Sequence, residues 1–230
     1  MIEIINADCL EYIKNVADKT FDAVITDPPY KQEAHTRGLL AKRKCFKEMS
    51  AWTNMENDWY NESFLDELVR ICKFPNIVLF CGKRDLAAVL YYCESKNYFY
   101  HVLPVIKKSP MPMTDNTWLS NEYAVHFTDR KIVYSKRYED KLPYFIVGGK
   151  KETQHPNEKD RDMVIRIIRN ITQEGDKVFD PFLGSGTTSV CCQALNRDCV
   201  GVELSSNYCQ LAKERLDLEN AQLDLFKTND

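Results

Sequence analysis

Val178-Phe179-Asp180-Pro181-Phe182-Leu183-Gly184-Ser185-Gly186-Thr187-Thr188 decides the fold of this chain. A short β-rich run meets a proline, then two glycines one residue apart, then residues that open a helix. Gly184 and Gly186 let the backbone turn tightly and approach a ligand closely. The helix that follows presents free N–H groups and the positive end of its dipole. Glu203 stands seventeen residues after Gly186, at the end of the next apolar run, 199–202. An acid near that spacing in a strand–turn–helix–strand unit takes ribose hydroxyls. Position 189 is Ser, so the full G-x-G-x-x-G pattern is broken, and no Gly-Lys-Ser/Thr follows to make a phosphate loop. The unit points to a nucleoside cofactor carrying little or no phosphate. Alone, such a glycine turn is equally a structural turn; the strand–turn–helix–strand–Glu context favours the cofactor.

Outward from this unit the chain alternates short β-rich runs with helical patterns. Strands are predicted at 2–6, 21–26, 76–81, 98–106, 122–127, 178–180 and 199–202. Helices are predicted at 9–16, 62–72, 86–95, 157–171, 187–195 and 206–218. In the second helix Phe64, Leu65, Leu68, Val69 and Cys72 fall on one face at i, i+3, i+4 spacing. Such alternation implies an α/β, Rossmann-like, mostly parallel sheet covered on both faces. The strand–loop–strand unit at 98–127 adds one antiparallel hairpin. The expectation is a single domain over 1–230 with irregular insertions at about 31–60 and 107–152.

The second informative stretch is Asp27-Pro28-Pro29-Tyr30, directly after the strand at 21–26. Ligands of open α/β sheets bind outside the carboxyl ends of strands. Pro28 and Pro29 fix φ and lack N–H groups, so the strand stops and the backbone stiffens while its carbonyls remain acceptors. A carboxylate, a carbonyl and an aromatic face suit a planar group bearing an NH2, such as a nucleobase. A strand-ending turn with a structural Tyr is the plain alternative.

Bulk properties narrow the class. No run of about 18 apolar residues is present, so no transmembrane helix and no membrane partner are expected. Met1–Asp8 has no basic segment followed by an apolar one, which argues against secretion and for a cytoplasmic protein. The nine cysteines include no C-x-x-C and stand apart from the four histidines. A zinc site and a disulfide framework are therefore not expected, and the thiols read as small apolar groups. Net charge is −3, but its distribution is uneven. Residues 31–50 carry six Lys/Arg against two acids, and 101–151 nine against five, so each is +4. Each stretch alone reads as a solvated loop; together they make a candidate basic face.

Taken in order, D-P-P-Y and, far downstream, D-P-F-L-G-S-G-T-T resemble the permuted, β-type amino-methyltransferases that act on DNA, in which the catalytic motif precedes the S-adenosylmethionine motif. His155-Pro156-Asn157-Glu158-Lys159 resembles the H-P-x-E-K-P segment of that family, with Asp160 in place of its final Pro. Asn6-Ala7-Asp8-Cys9 resembles its N-x-D-C/A opening. The resemblance implies a seven-stranded methyltransferase sheet with one antiparallel strand, S-adenosylmethionine as cofactor and duplex DNA as partner. A homodimer and an accompanying restriction endonuclease are further partners found around the family.

The resemblance also implies roles. The cofactor would lie over Gly184, Ser185, Gly186 and Thr187, with Asp180 and Phe182 lining it. Glu203 would hold the ribose, and Asp8 with Cys9 would stand at the adenine end. Asn157 and Lys159 would reach the methionine end, where a lysine can pair with the carboxylate. Chemistry on a base requires taking it out of the stack. Tyr30 would stack on the extruded base, while Asp27 and the Pro28 carbonyl accept its amino N–H groups and aim the nitrogen lone pair at the methyl group. Cytosine-C5 methylation uses a Pro-Cys nucleophile, and no Pro-Cys occurs here. Asp at position 27 resembles the adenine-N6 enzymes, whereas the cytosine-N4 group more often has Ser; cytosine N4 stays the alternative. Protein-glutamine methyltransferases carry Asn before Pro-Pro-Tyr and the opposite motif order. RNA methylation and a non-catalytic nucleotide-binding module are the other rivals. DNA contacts are expected from Arg37, Lys42, Arg43 and Lys44, with Trp52 or Trp59 near the flipped base. Lys107, Lys108, Trp118, Arg130, Lys136 and Arg137 are expected on the duplex from the other side.

Overall fold

The structure, a computed structural model, describes residues 1–29, 59–108, 122–132, 134–148, 153 and 158–227. Strands are β1 (Ile2–Asn6), β2 (Ala23–Thr26), β3 (Asn76–Cys81), β4 (Phe99–Lys107), β5 (Glu122–Thr128), β6 (Phe145–Val147), β7 (Lys177–Asp180) and β8 (Asp198–Glu203). Helices are α1 (Cys9–Lys14), α2 (Glu62–Ile71), α3 (Lys83–Ser95), α4 (Arg161–Ile171), α5 (Thr187–Ala194) and α6 (Ser206–Lys227). The strands form one sheet in the order β1-β8-β7-β2-β3-β5-β4-β6. Among these strands β5 alone runs against the rest, pairing antiparallel with β3 and β4.

Both faces of the sheet are covered, and the side-chain alternation of the central strands follows from that. Val24, Ile77, Leu79 and Phe179 point to the face packed by Ile13, Leu65 and Leu68 of α1 and α2. Ile25, Val78, Phe80 and Val178 point to the face packed by Val164 and Ile168 of α4 and Cys191 of α5. The helices have local causes. Asn61 caps α2, its side chain accepting from Phe64 N at 2.9 Å. Asp160 caps α4, accepting from Met163 N at 3.1 Å. An Asp at this place supplies an acceptor for an otherwise unpaired helical N–H.

The expected architecture holds, with three differences. The sheet has eight strands, because three residues at 145–147 pair parallel with Val105–Lys107. A strand this short carries no readable period. The described part of 107–152 thus supplies β5 and β6 to the sheet. Helix α4 begins at Arg161 and not at 157, since Asp160 occupies the cap. Helix α6 runs to Lys227, beyond the expected 218. Among the described residues no helix is long and apolar enough to cross a membrane.

Candidate active site at the strand ends

The register brings the chemistry-bearing residues to one edge of the sheet. Asn6 faces Glu203, Asp180 faces Gly201, Thr26 faces Leu79, and Cys81 faces Tyr123. Asp8, Glu203, Asp180, Asp27 and Glu122 therefore follow one another across the carboxyl ends of the parallel strands and the start of β5. Between β7 and β2 the chain changes face: α5 after β7 packs on one side and α2 after β2 on the other. A crevice opens at such a switch point.

On the β1–β8–β7 half the glycine turn is fixed from several directions. Gly184 has φ +55° and Gly186 φ +85°. A Cβ on Gly186 would sit 2.7 Å from Ala212 Cβ of α6, so the turn packs backbone to helix. Glu203 Oε2 accepts from Gly184 N at 2.9 Å, and Oε1 from Ser205 N at 2.8 Å. Burial pushes the Glu203 carboxyl up, and these N–H donors oppose that shift. Each oxygen is thereby oriented with acceptor capacity to spare, which suits a pair of ribose hydroxyls. Asp180 is 4% exposed and serves the turn itself, accepting from Phe182 N at 3.1 Å and Thr188 Oγ1 at 2.7 Å. Burial pushes its carboxyl up to about 7, with Asp27 adding like-charge repulsion. Phe182 is half-buried, edge-on to Trp59 with ring centroids 4.7 Å apart. Asp8 caps α1, its Oδ1 accepting from Leu10 N at 2.8 Å. The Cys9 thiol faces the core and is pushed up to about 12 by burial, so it brings no reactive group to the edge.

On the β2–β3–β5 half, Asp27 follows β2 with Pro28 buried behind it. Lys159 Nζ lies 2.9 Å from Asp27 Oδ2 and 3.0 Å from Glu122 Oε2, and 4.6 Å above the Phe80 ring. Lys107 Nζ binds the other Glu122 oxygen at 2.6 Å. Burial pushes Glu122 up, but the ammonium groups of Lys159 and Lys107 outweigh it and hold the carboxyl at about 2. Burial likewise disfavours the Lys159 cation, yet Asp27 and Glu122 keep its pKa above the ordinary lysine value.

A family profile of DNA methylases of the N6/N4 type matches residues 21–214. This chain belongs to the N6/N4 DNA methylase family. It is similar to the type II methyltransferase M.HpaI of Haemophilus parainfluenzae, with 26% identity over 94% of this chain and 74% of the relative. It is also similar to M.HinfI of Haemophilus influenzae, with 24% identity over 93% of this chain and 67% of that one. The solved M1.HpyAVI complex with S-adenosylmethionine superposes with a TM-score of 0.70 and 27% identity, over 94% of this chain and 100% of that one. The cytosine-N4-specific PvuII methyltransferase shares the fold with a TM-score of 0.72 at 17% identity, over 97% of this chain and 93% of that one.

The cofactor of this N6/N4 methylase is S-adenosylmethionine. The edge fits that group: a glycine turn closed against Ala212, a Glu203 carboxylate held by two backbone N–H groups, and a half-buried Phe182 ring. Three further residues of the methylase edge join the expected ones. Arg215 of α6, 9% exposed, donates to Ser185 O at 2.8 Å, Ser185 Oγ at 3.2 Å and Thr187 Oγ1 at 3.2 Å. Its other arm pairs with Glu158 at 3.1 Å, and Glu158 in turn accepts from Thr153. The glycine turn is thus tied to the H-P-N-E-K segment, and the Ser185 and Thr187 side chains face Arg215. Glu122 is the third. Glu158 is visible in the quoted segment, but Arg215 and Glu122 are single charges on an ordinary helix and strand.

Lys159 stands on the Asp27 side of the methylase site, at two carboxylates, where the resemblance implied the cofactor's methionine end. Trp59 is 5% exposed and packs on Phe64 and Phe182, as part of the core beside the glycine-turn half. The second basic group divides. Lys107 and exposed Lys108 lie on the Asp27 edge. Arg130, after β5, stacks on Phe74 at 4.3 Å near the start of β3 on the opposite edge. Lys136 and Arg137 follow Ser135, which is tied through Asp140 to Arg169 in the last turn of α4, also toward that opposite edge. Tyr30, Asn157, Arg37, Lys42, Arg43, Lys44, Trp52 and Trp118 lie outside the described residues.

Proposed function

We propose that this chain moves a methyl group from S-adenosylmethionine to the exocyclic N6 of an adenine flipped out of duplex DNA. The observation that carries it is that Asp27-Pro28 follows β2 and the Gly184–Gly186 turn follows the adjacent β7, on the two sides of the switch point of the sheet. When bound, the cofactor supplies an already activated methyl carbon, so the protein's task is to present the nitrogen. The lone pair of an exocyclic amino group is delocalised into the ring. Asp27 and the Pro28 carbonyl accept its N–H groups, turn the nitrogen toward a tetrahedral geometry and aim the lone pair. Tyr30 stacks the base, a contact that contributes ~1–3 kcal/mol. Asp at position 27, where a serine stands more often in cytosine-N4 enzymes, supports adenine.

The DNA-binding residues proposed are Lys108 at the described edge and Arg37, Lys42, Arg43 and Lys44 in the basic stretch after Tyr30. Phosphate contacts of this kind give affinity with little sequence information. The test of the functional reading is the Asp27→Ala variant. It is expected to lose methyl transfer to DNA while binding S-adenosylmethionine almost as the wild type does. Wild-type turnover in that variant would sink the assignment.

A further inference from the structure

Lys107, Glu122, Lys159 and Asp27 form a row of alternating charge across the ends of β4, β5 and β2. The successive N···O distances are 2.6, 3.0 and 2.9 Å. Exposure falls from 47% at Lys107 to 15% at Lys159 and is 22% at Asp27. The row runs from Asp27 at the end of β2 toward β5 and β4, while the glycine turn follows β7 on the other flank of β2. Lys159 is held at three points: two carboxylate oxygens and the face of Phe80. An ammonium has three donors, and sharing them between two acids moderates its grip on either one. Glu122 itself is fixed by Lys107 from the rim.

We propose that Lys159 is a positioning residue for methyl transfer, anchored by Glu122 so that it orients the Asp27 carboxylate, and is not the partner of the cofactor's own carboxylate. The proposal rests on the functional reading above. Asp27 accepts the amino N–H groups most strongly when ionised. The acidic and neutral titratable groups around it among the described residues include Asp180 on β7, Glu122 on β5, and beyond them Asp85, Tyr60 and Cys81. Burial first, then neighbouring carboxylates, push the thiol of Cys81 up to about 12, and Tyr60 rises for the same reasons, so both stay neutral. Burial first, and the Asp27 charge with it, raise the Asp180 carboxyl, while the hydrogen bonds from Thr188 and Phe182 oppose the rise. Lys159 brings a cation to 2.9 Å from the Asp27 carboxylate.

The experiment is single-turnover transfer of labelled methyl to unmethylated genomic DNA, followed against pH, with S-adenosylmethionine affinity measured separately by calorimetry. Lys159→Met removes a cation 2.9 Å from Asp27, and losing a nearby opposite charge raises a carboxyl pKa. The acid limb of its rate profile is expected to move up by about one pH unit or more, with cofactor Kd within about twofold of wild type. Lys159→Arg should bring the limb back toward wild type. Glu122→Gln frees Lys159 to close on Asp27; it should slow transfer about tenfold, with unchanged cofactor Kd and no upward shift of the limb. Retained cofactor binding certifies that each variant is folded. The inference is overturned if Lys159→Met weakens cofactor binding about tenfold or more with the limb unmoved, or if Lys159→Met and Glu122→Gln leave rate and limb as in wild type. A wild-type protein that transfers no methyl to DNA would overturn the functional reading instead.

Discussion

At Gly186 the residue type is dictated twice. Its φ of +85° lies in the left-handed region, and a Cβ would collide with Ala212 of α6 at 2.7 Å. Gly186→Ala is expected to cost about 1–3 kcal/mol of stability through strain and overpacking. It should also weaken S-adenosylmethionine binding, because the turn and α6 must move apart. Urea unfolding and calorimetry measure the two effects. The neighbouring clamp makes a second residue-scale prediction. Arg215 and Glu158 are 9% and 4% exposed, and removing one partner of a buried pair strands the other. Arg215→Met and Glu158→Gln are each expected to loosen cofactor binding, and the double variant to be less impaired than the sum. A coupling on the order of 0.5–3 kcal/mol in a double-mutant cycle would bear this out; strict additivity would contradict it. Gly186 and Glu203 are legible in the sequence, because a tight turn and a strand-end acid leave a fixed spacing. Arg215 and Glu122 are not, because pairing between charges remote in the chain leaves no local pattern.

Among the elements, the β4–β5 hairpin carries a pH-sensitive group far from the chemistry. His126 Nε2 lies 3.1 Å from Asn76 Oδ1, and the side-chain amide of Asn76 donates to Asp22 O and Ile171 O. Burial first, then the charge of nearby His101, pull His126 down from 6.5 to about 4. Between those two values the unfolded chain binds a proton that the folded chain refuses. Stability is therefore full above pH 6.5 and is lost as pH falls toward about 4. Urea midpoints measured across that window should drop, and His126→Asn should flatten the drop. An equal slope in both proteins would contradict the account. The main strands and helices are readable because burial on two faces imposes apolar runs and amphipathic stripes. Strand β6 is not, being three residues whose place is set by the edge of β4. Periodicity starts α4 too early because Asp160 caps it, a local event that helical spacing does not report.

Over the whole molecule the fold sets two groups of residues side by side along one edge. On the proposed reading, strands β1, β8 and β7 carry the cofactor's turn and its acid, and strands β2, β3 and β5 carry the acceptor for the base. The permuted order of motifs makes this arrangement legible in sequence, since D-P-P-Y precedes the glycine turn while their strands end side by side. Charge is less legible. A +4 stretch in sequence does not say which sheet edge its residues reach, and the fold sends Arg130, Lys136 and Arg137 away from Asp27. Neutralising Lys42, Arg43 and Lys44 together is expected to flatten the dependence of log affinity for DNA on log salt, by about 0.9 for each phosphate left without its cation. The same treatment of Arg130, Lys136 and Arg137 should leave it near the wild-type slope. An unchanged slope in the first variant would count against that part of the DNA face.

The central claim is methyl transfer to adenine N6, and nucleoside analysis of the DNA product tests it most directly. Unmethylated DNA would be incubated with the purified protein and isotopically labelled S-adenosylmethionine, digested to nucleosides and resolved by mass spectrometry. The account predicts label in N6-methyldeoxyadenosine, and none when Asp27→Ala replaces the wild type. Label in N4-methyldeoxycytidine, or DNA left without label, would contradict it.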